Sequence, residues 1–252
     1  GNVEERAYEF QNMFIDKNIK AIMTAWGGKS ANQLIEYLDF SKIKKNPKIF
    51  SAFSDTTNLA NIIFSQTGLI AFHGPNVVGK LSENTNDSID FFNKLITSGA
   101  QYSIKDKNAR VVKSGNSKGV LVGGNLTSYI LSMIGTPYEI KKKKLIFFWE
   151  AGSKKPREID QFLTYLRMAG FYKKLSGMVV GYAMASNEDD KWGNRNIKDI
   201  VIQACKDYTF PIIEIPNFGH GKLYNPIIPI GAECKITTNP VELNVNKYLG
   251  DG

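Results

Sequence analysis

Three stretches carry side chains able to do nucleophilic chemistry. In AFSDTTNLANII (52–63), Ser54 and Asp55 stand where an apolar run hands over to a helical pattern. A serine at a strand-to-helix turn exposes its hydroxyl above the sheet edge, near helix N-terminal amides that can stabilise an oxyanion. Ser and Asp are also preferred N-caps, and the G-x-S-x-G pattern is not met, so capping alone accounts for the pair on local sequence. In NFGHGK (217–222), Gly219 and Gly221 flank His220, which allows a sharp turn with an accessible imidazole; a surface-turn histidine is the plainer reading. The other of the two histidines, His73, follows LIAF in alternating register and reads as packed near a strand end. In LIFFWEAG (145–152), five apolar residues end on Glu150. A carboxylate there is costly unless paired, and a buried one could orient an imidazole. The alternative is a strand that stops at Glu150 and exposes it to water. Together the three supply a nucleophile, a base and an orienter, each at a strand end.

Other features exclude more than they suggest. Gly27-Gly28 follows an apolar run and could present amides to an oxyanion; Gly123-Gly124-Asn125 could do the same or simply turn the chain. Neither fits G-x-G-x-x-G or G-x-x-x-x-G-K-[ST], so nucleotide binding is unsupported. No His, Cys or carboxylate spacing suits a metal. Cys205 and Cys234 are far apart and read as reduced core thiols. The net charge of +8 comes mostly from scattered lysines, and the Lys141–Lys144 run reads as a solvated turn before a buried strand. No aromatic-interleaved basic stripe accompanies it, so nucleic acid is not an expected partner. No run approaches the roughly 18 apolar residues of a membrane span. The opening GNVEERAYEF is charged and helical and has no signal-peptide pattern, and the reduced thiols fit a cytoplasmic protein.

These side chains must be positioned by strands and helices. The 252 residues are 42% hydrophobic and 22% charged, enough for a sizeable core in one large or two smaller domains. Helical spacing marks 3–16, 30–38 (with Ser30 as N-cap), 55–68 closed by Gly68, 88–99, 156–171 and 196–208. Apolar runs mark strands at 19–26, 47–53, 69–76, 145–150, 176–184 and 210–215, and 119–135 reads as strand, glycine turn and helix. This alternation predicts an α/β fold. Residues 76–120 are more polar and read as an inter-domain region, with a cleft between the βα-rich halves as the place for a ligand. Only about three strands precede it, thin for a doubly wound sheet, as though an N-terminal strand and helix were absent.

The chain resembles the LD-carboxypeptidase family of serine peptidases, which also contains the microcin-immunity peptidases. The resemblance rests on IKAIMTAWGGKSANQLIEYLDF, NPKIFSAFSDTTNL, TGLIAFHGPN, GVLVGGNLTSYILSMIGTPYE, LIFFWEAGSKKPREIDQFLTYLRMAGFYKKLSGMVVG and FGHGKLYNPIIPIGAE. It implies a Ser–Glu–His triad in which Ser54 is the nucleophile, His220 the general base and Glu150 its orienter. The backbone amides of Asp55, Gly27 and Gly28 would form the oxyanion hole. The implied fold is two α/β domains: a flavodoxin-like N-terminal domain (1–105) with Ser54 and a smaller C-terminal domain (106–252) with Glu150 and His220. Family members begin with a strand and loop ahead of the stretches matched here, so the first domain is expected to be truncated. Ala52 also stands where the family usually has Gly.

The implied reaction removes the terminal D-alanine of a murein tetrapeptide during cell-wall recycling, with no cofactor and no metal. Expected partners are a peptide or muropeptide substrate and at most a second copy in a homodimer. Two rivals remain. One is a peptidase cleaving a peptidyl- or aminoacyl-nucleotide, for which Trp149 and Trp192 could stack a base. The other is an inactive truncated homologue that binds peptidoglycan fragments.

Overall fold

The computed structural model describes residues 1–78, 93, 97–152, 154–183, 192–221 and 226–248. The expected helix over 88–99 lies largely outside them.

Helix α1 (Val3–Ile15) starts from Asn2, whose side chain accepts the Glu5 N–H while Glu5 reaches back to the Asn2 N–H. Its Phe10 and Phe14 pack edge-on against Phe50 of strand β2 (Ile49–Ala52), tying the helix to a four-stranded sheet. That sheet runs β1 (Ala21–Met23), β2, β3 (Ala71–His73), then β10 (Ile228–Ile230). The first three strands are parallel, and β10 joins antiparallel to β3. A 3-10 turn (Ser54–Thr56) leads from β2 into α3 (Thr57–Thr67), which ends at left-handed Gly68. Helix α3 is buried on nearly every side, which accounts for its apolar run Leu59, Ala60, Ile62, Ile63 and Phe64.

The second sheet has eight strands in the order β4 (Tyr102–Ile104), β12 (Val241–Val245), β11 (Glu233–Thr238), β6 (Ser117–Asn125), β7 (Leu145–Glu150), β8 (Leu175–Val180), β9 (Ile212–Glu214), β5 (Arg110–Lys113). Strands β6 to β9 are parallel and the flanking pairs antiparallel. All six residues of β7 are buried, as befits a central parallel strand in an α/β fold. Helices α2 (Phe40–Lys45), α4 (Leu126–Met133), α5 (Pro156–Met168) and α6 (Ile197–Ala204) complete the described elements. Both cysteines are free and buried; burial pushes the Cys205 thiol up to about 12.

Three features depart from the sequence reading. The second sheet is the larger, eight strands against four, because 102–113 and 233–245 add four strands of short or half-polar sequence for which no strand was expected. Strand β11 shows why: its burial simply alternates, with one face wet. Strands also cross the 105/106 division: β4 pairs with β12, and β10 pairs with β3. Finally, Gly123 and Gly124 make no turn; β6 runs through them to Asn125. Gly124 has φ +126, and a Cβ there would come within 2.1 Å of Thr57 Cγ2, so glycine lets α3 and β6 touch. Asn61 exploits that approach, donating to Gly123 O (2.7 Å) and accepting from Gly123 N (3.0 Å), and so clasps the two halves.

Candidate active site

Strand β2 delivers Ser54 into a backbone conformation that few L-residues adopt, φ +57. Such strain persists only where neighbours hold it. Here Thr56 Oγ1 brackets the turn, donating to Phe53 O (2.9 Å) and accepting from Phe53 N (3.2 Å). The result lifts Ser54 Oγ out of the strand toward the other half of the molecule. Ser54 is therefore not a side-chain cap, and no such cap bond is present.

Glu150 ends β7 and is 0% exposed, so the strand does not end in solvent. Its carboxylate accepts three hydrogen bonds. Oε2 takes His220 Nδ1–H at 2.7 Å and the Gly152 N–H at 3.0 Å, while Oε1 takes Asn125 Nδ2–H at 2.9 Å. Asn125 sits opposite Glu150 in the parallel register. Its own oxygen is held by the Ser128 N–H and hydroxyl at the start of α4, which fixes the amide's orientation. Sequence reading had Asn125 as part of a glycine stretch that could present amides to an oxyanion or simply turn the chain; the available signal for its side chain was two adjacent parallel strands both ending in polar residues.

His220 arrives on the turn after β9. Gly219 precedes it with φ +109, and a Cβ there would lie 2.6 Å from Glu150 Cβ, so only glycine lets the turn close over the carboxylate. With Nδ1–H given to Glu150, Nε2 is the acceptor, and Ser54 Oγ lies 3.0 Å from it. Phe53 packs against the His220 ring with centroids 4.9 Å apart. Ser54, His220 and Glu150 thus form one hydrogen-bonded chain.

The oxyanion candidates cluster beside it. A Cβ at Gly27 would be 3.0 Å from Ser54 Oγ and 3.7 Å from Asp55 N, so the Gly27-Gly28 turn abuts the serine. Asp55 Oδ2 anchors that loop by accepting the N–H groups of Ser30 (2.8 Å) and Ala31 (2.9 Å). Asp55 therefore caps the 3-10 helix Ala31–Tyr37, the task expected of Ser30, whose side chain makes no cap bond. Gly123 and Gly124 stay inside β6 and do not line the cleft.

A cleft of about 560 Å³ opens in front of Ser54, lined by Gly28, Asp55, Asn125, Gly152, Tyr182 and His220 among others. Trp149 is sealed in the core, and Trp192 lies on a separate depression with Arg157 and Met168. His73 is likewise outside the chain of contacts: it is 1% exposed, and burial pushes it down from 6.5 to about 4 against the opposing pull of the Glu150 carboxylate. Among the described residues, no group of three or more His, Cys, Asp or Glu is placed to hold a metal ion. No helix is long and apolar enough to cross a membrane among them.

Comparison with known proteins identifies the family. Residues 1–74 match the LD-carboxypeptidase N-terminal domain model, and residues 118–236 match the LD-carboxypeptidase C-terminal domain model. A probable murein peptide carboxypeptidase of Bacillus subtilis is 32% identical over 245 residues, covering 94% of this chain and 75% of the relative. The microcin C7 self-immunity protein MccF of Escherichia coli is 28% identical over 212 residues, 72% of this chain and 61% of that protein. The muramoyltetrapeptide carboxypeptidase of Oxalobacter formigenes superposes with a TM-score of 0.84 at 23% identity, covering 99% of this chain and 85% of that one. An MccF-like protein of Bacillus anthracis gives 0.85 at 26% identity, with 98% and 82% covered. This chain belongs to the LD-carboxypeptidase family and is a hydrolase of the peptidase type.

Proposed function

We propose that the protein is a serine carboxypeptidase that cleaves the L,D-amide bond before the terminal D-alanine of murein tetrapeptides, in the cytoplasm, during cell-wall recycling. The observation that carries this reading is the hydrogen-bonded chain from Ser54 Oγ to His220 Nε2 (3.0 Å) and from His220 Nδ1 to Glu150 Oε2 (2.7 Å).

In this mechanism Ser54 Oγ attacks the scissile carbonyl carbon as its proton passes to His220 Nε2. Glu150 stabilises the imidazolium and holds the ring in the tautomer that accepts the proton. The tetrahedral oxyanion receives hydrogen bonds from the N–H of Asp55 and from the Gly27-Gly28 turn; one such donor is worth roughly 10²–10³ in rate. His220 then returns the proton to the departing D-alanine nitrogen, leaving an ester on Ser54. A water deprotonated by His220 hydrolyses that ester, and the serine regains its proton. The closeness of the Gly27-Gly28 turn to Ser54 supports this assignment.

The likeness to MccF keeps a nucleotide amide in view as substrate. Against it, neither Trp149 nor Trp192 reaches the cleft, and Tyr182 is the aromatic side chain beside His220 among the described lining. An inactive fragment-binding role fits poorly with an assembled proton relay.

The test is D-alanine release from L-alanyl-γ-D-glutamyl-meso-diaminopimelyl-D-alanine, with and without chelator. The expected result is release that chelation leaves unchanged and that Ser54→Ala abolishes. Full release by Ser54→Ala, or none by the native chain, overturns the reading.

A further inference from the structure

Two side chains on the wall of the cleft lack what buried polar groups ordinarily have. Asn58 is 1% exposed and Ser132 4% exposed, and both line the space in front of Ser54. Asn58 Oδ1 and Ser132 Oγ nevertheless have no hydrogen-bond partner among the described residues. Other buried atoms share this state, among them Tyr129 Oη and Trp149 Nε1, but they do not line the cleft.

The neighbouring asparagines make the contrast plain. Asn61, less than one turn along the same helix α3, spends its amide on Thr57 O and on both polar groups of Gly123. Asn125 spends its amide on Glu150 and on Ser128. A buried amide oxygen left unpaired is destabilising, and an apolar side chain of similar size would stabilise the fold better. At the wall of a ligand cleft, a polar group of the substrate could supply the missing partner.

The chemistry of that partner follows from the surroundings. An asparagine amide offers one acceptor and one pair of donors, the complement of a single peptide group. Of the charged side chains that line the cleft, Lys29 is exposed, and no bond from any of them to Asn58 Oδ1 or Ser132 Oγ is present among the described residues. Asp55 is occupied by the Ser30 and Ala31 amides, and Lys154 is paired with Glu158 at 3.0 Å. A carboxypeptidase's leaving residue ends in a carboxylate, so every further neutral amide of the substrate lies on the acyl side.

We propose that Asn58, assisted by Ser132, is a specificity-determining residue that binds the peptide amide on the acyl side of the scissile bond, the one preceding the L-centre. This rests on the peptidase reading and deepens it.

The experiment pairs two variants with two substrates. Asn58→Ala and Ser132→Ala are assayed on the tetrapeptide and on an analogue with that one amide replaced by an ester, which lacks the N–H. Asn58→Ala should lower kcat/KM on the tetrapeptide about 10-fold, the size of one hydrogen bond of ~1.4 kcal/mol, and have almost no effect on the ester analogue. Ser132→Ala should do the same to a smaller extent. The melting temperature of Asn58→Ala should hold or rise. Equal losses on both substrates overturn the proposal, as does a lower melting temperature with unchanged kcat/KM, which marks a purely structural group. Binding of the tetrapeptide to Ser54→Ala, alone and combined with Asn58→Ala, separates this from the parent reading. If the native chain releases no D-alanine, the peptidase reading fails. Weaker binding in the double variant still supports Asn58 as a peptide contact, and equal or absent binding overturns it.

Discussion

The chain's two histidines stand on either side of one phenylalanine and have opposite surroundings. Phe53 packs against His73 at 5.2 Å and against His220 at 4.9 Å between ring centroids. His73 closes β3 inside a cage that also includes Phe148 and Phe218. Its Nε2 has no partner among the described residues, and Thr57 Oγ1 is the near polar neighbour of Nδ1, at 3.4 Å. His220 keeps 35% of its side chain exposed to the cleft and rests on a fully buried carboxylate. Residue type is therefore not what separates a packing group from a proton carrier. Desolvation outweighs the pull of the Glu150 carboxylate and keeps His73 neutral, whereas that same carboxylate is hydrogen-bonded directly to one nitrogen of His220 and leaves the other against Ser54 Oγ.

The comparison breaks most decisively on turnover. His220→Ala should lower kcat for D-alanine release by about 10⁴–10⁶-fold, since the relay works as a unit, while His73→Phe should stay within a few-fold of native. A steady-state assay of both variants decides it, and comparable losses would erase the distinction.

Glu150→Gln sharpens the role of the carboxylate. Three donors converge on Glu150, and Asn125 cannot flip without losing Ser128, so a glutamine must set its own NH₂ against one of them. Turnover should fall by ~10⁴-fold, with a stability loss of about 1–3 kcal/mol seen in denaturant melts. Stability alone falling would make Glu150 a structural residue.

Gly27→Ala probes the other wall. The added methyl would sit 2.9 Å from Ser54 Cβ, so loop or serine must shift. A kcat loss of roughly 10²-fold, with the melting temperature little changed, is the expected mark of a displaced oxyanion donor. Unchanged kcat would place the donors elsewhere.

The remaining effect is on acid stability, not turnover, and belongs to His73. Its folded value of about 4 lies below the ordinary 6.5, so the unfolded chain binds more protons between those values. The associated stability is fully present above pH 6.5 and is lost as pH falls toward 4, on the order of 3 kcal/mol in all. His73→Phe should flatten that part of the stability–pH curve measured by denaturant unfolding. An unaltered slope would assign the acid sensitivity to other groups.

Much of this was legible in the residues themselves. The helical period of α1 and α5, the apolar run of β7 and the glycine that ends α3 are properties of neighbours along the chain, and local sterics and burial enforce them, whereas the grouping of Ser54, Glu150 and His220 was implied only by the family resemblance. What tertiary structure alone decided involves residues far apart in sequence. Ser54 and His220 meet across 166 positions, and Asn61 and Gly123 across 62. Five strands went unread: β4, β5, β11 and β12 are short or half-polar and hold through their partners' hydrogen bonds, while β10 is paired across the two halves with β3. The same holds within the site. Nothing local tells that Asn61 and Asn125 find partners while Asn58 does not, because a side-chain amide is satisfied only by whatever register and packing bring to it.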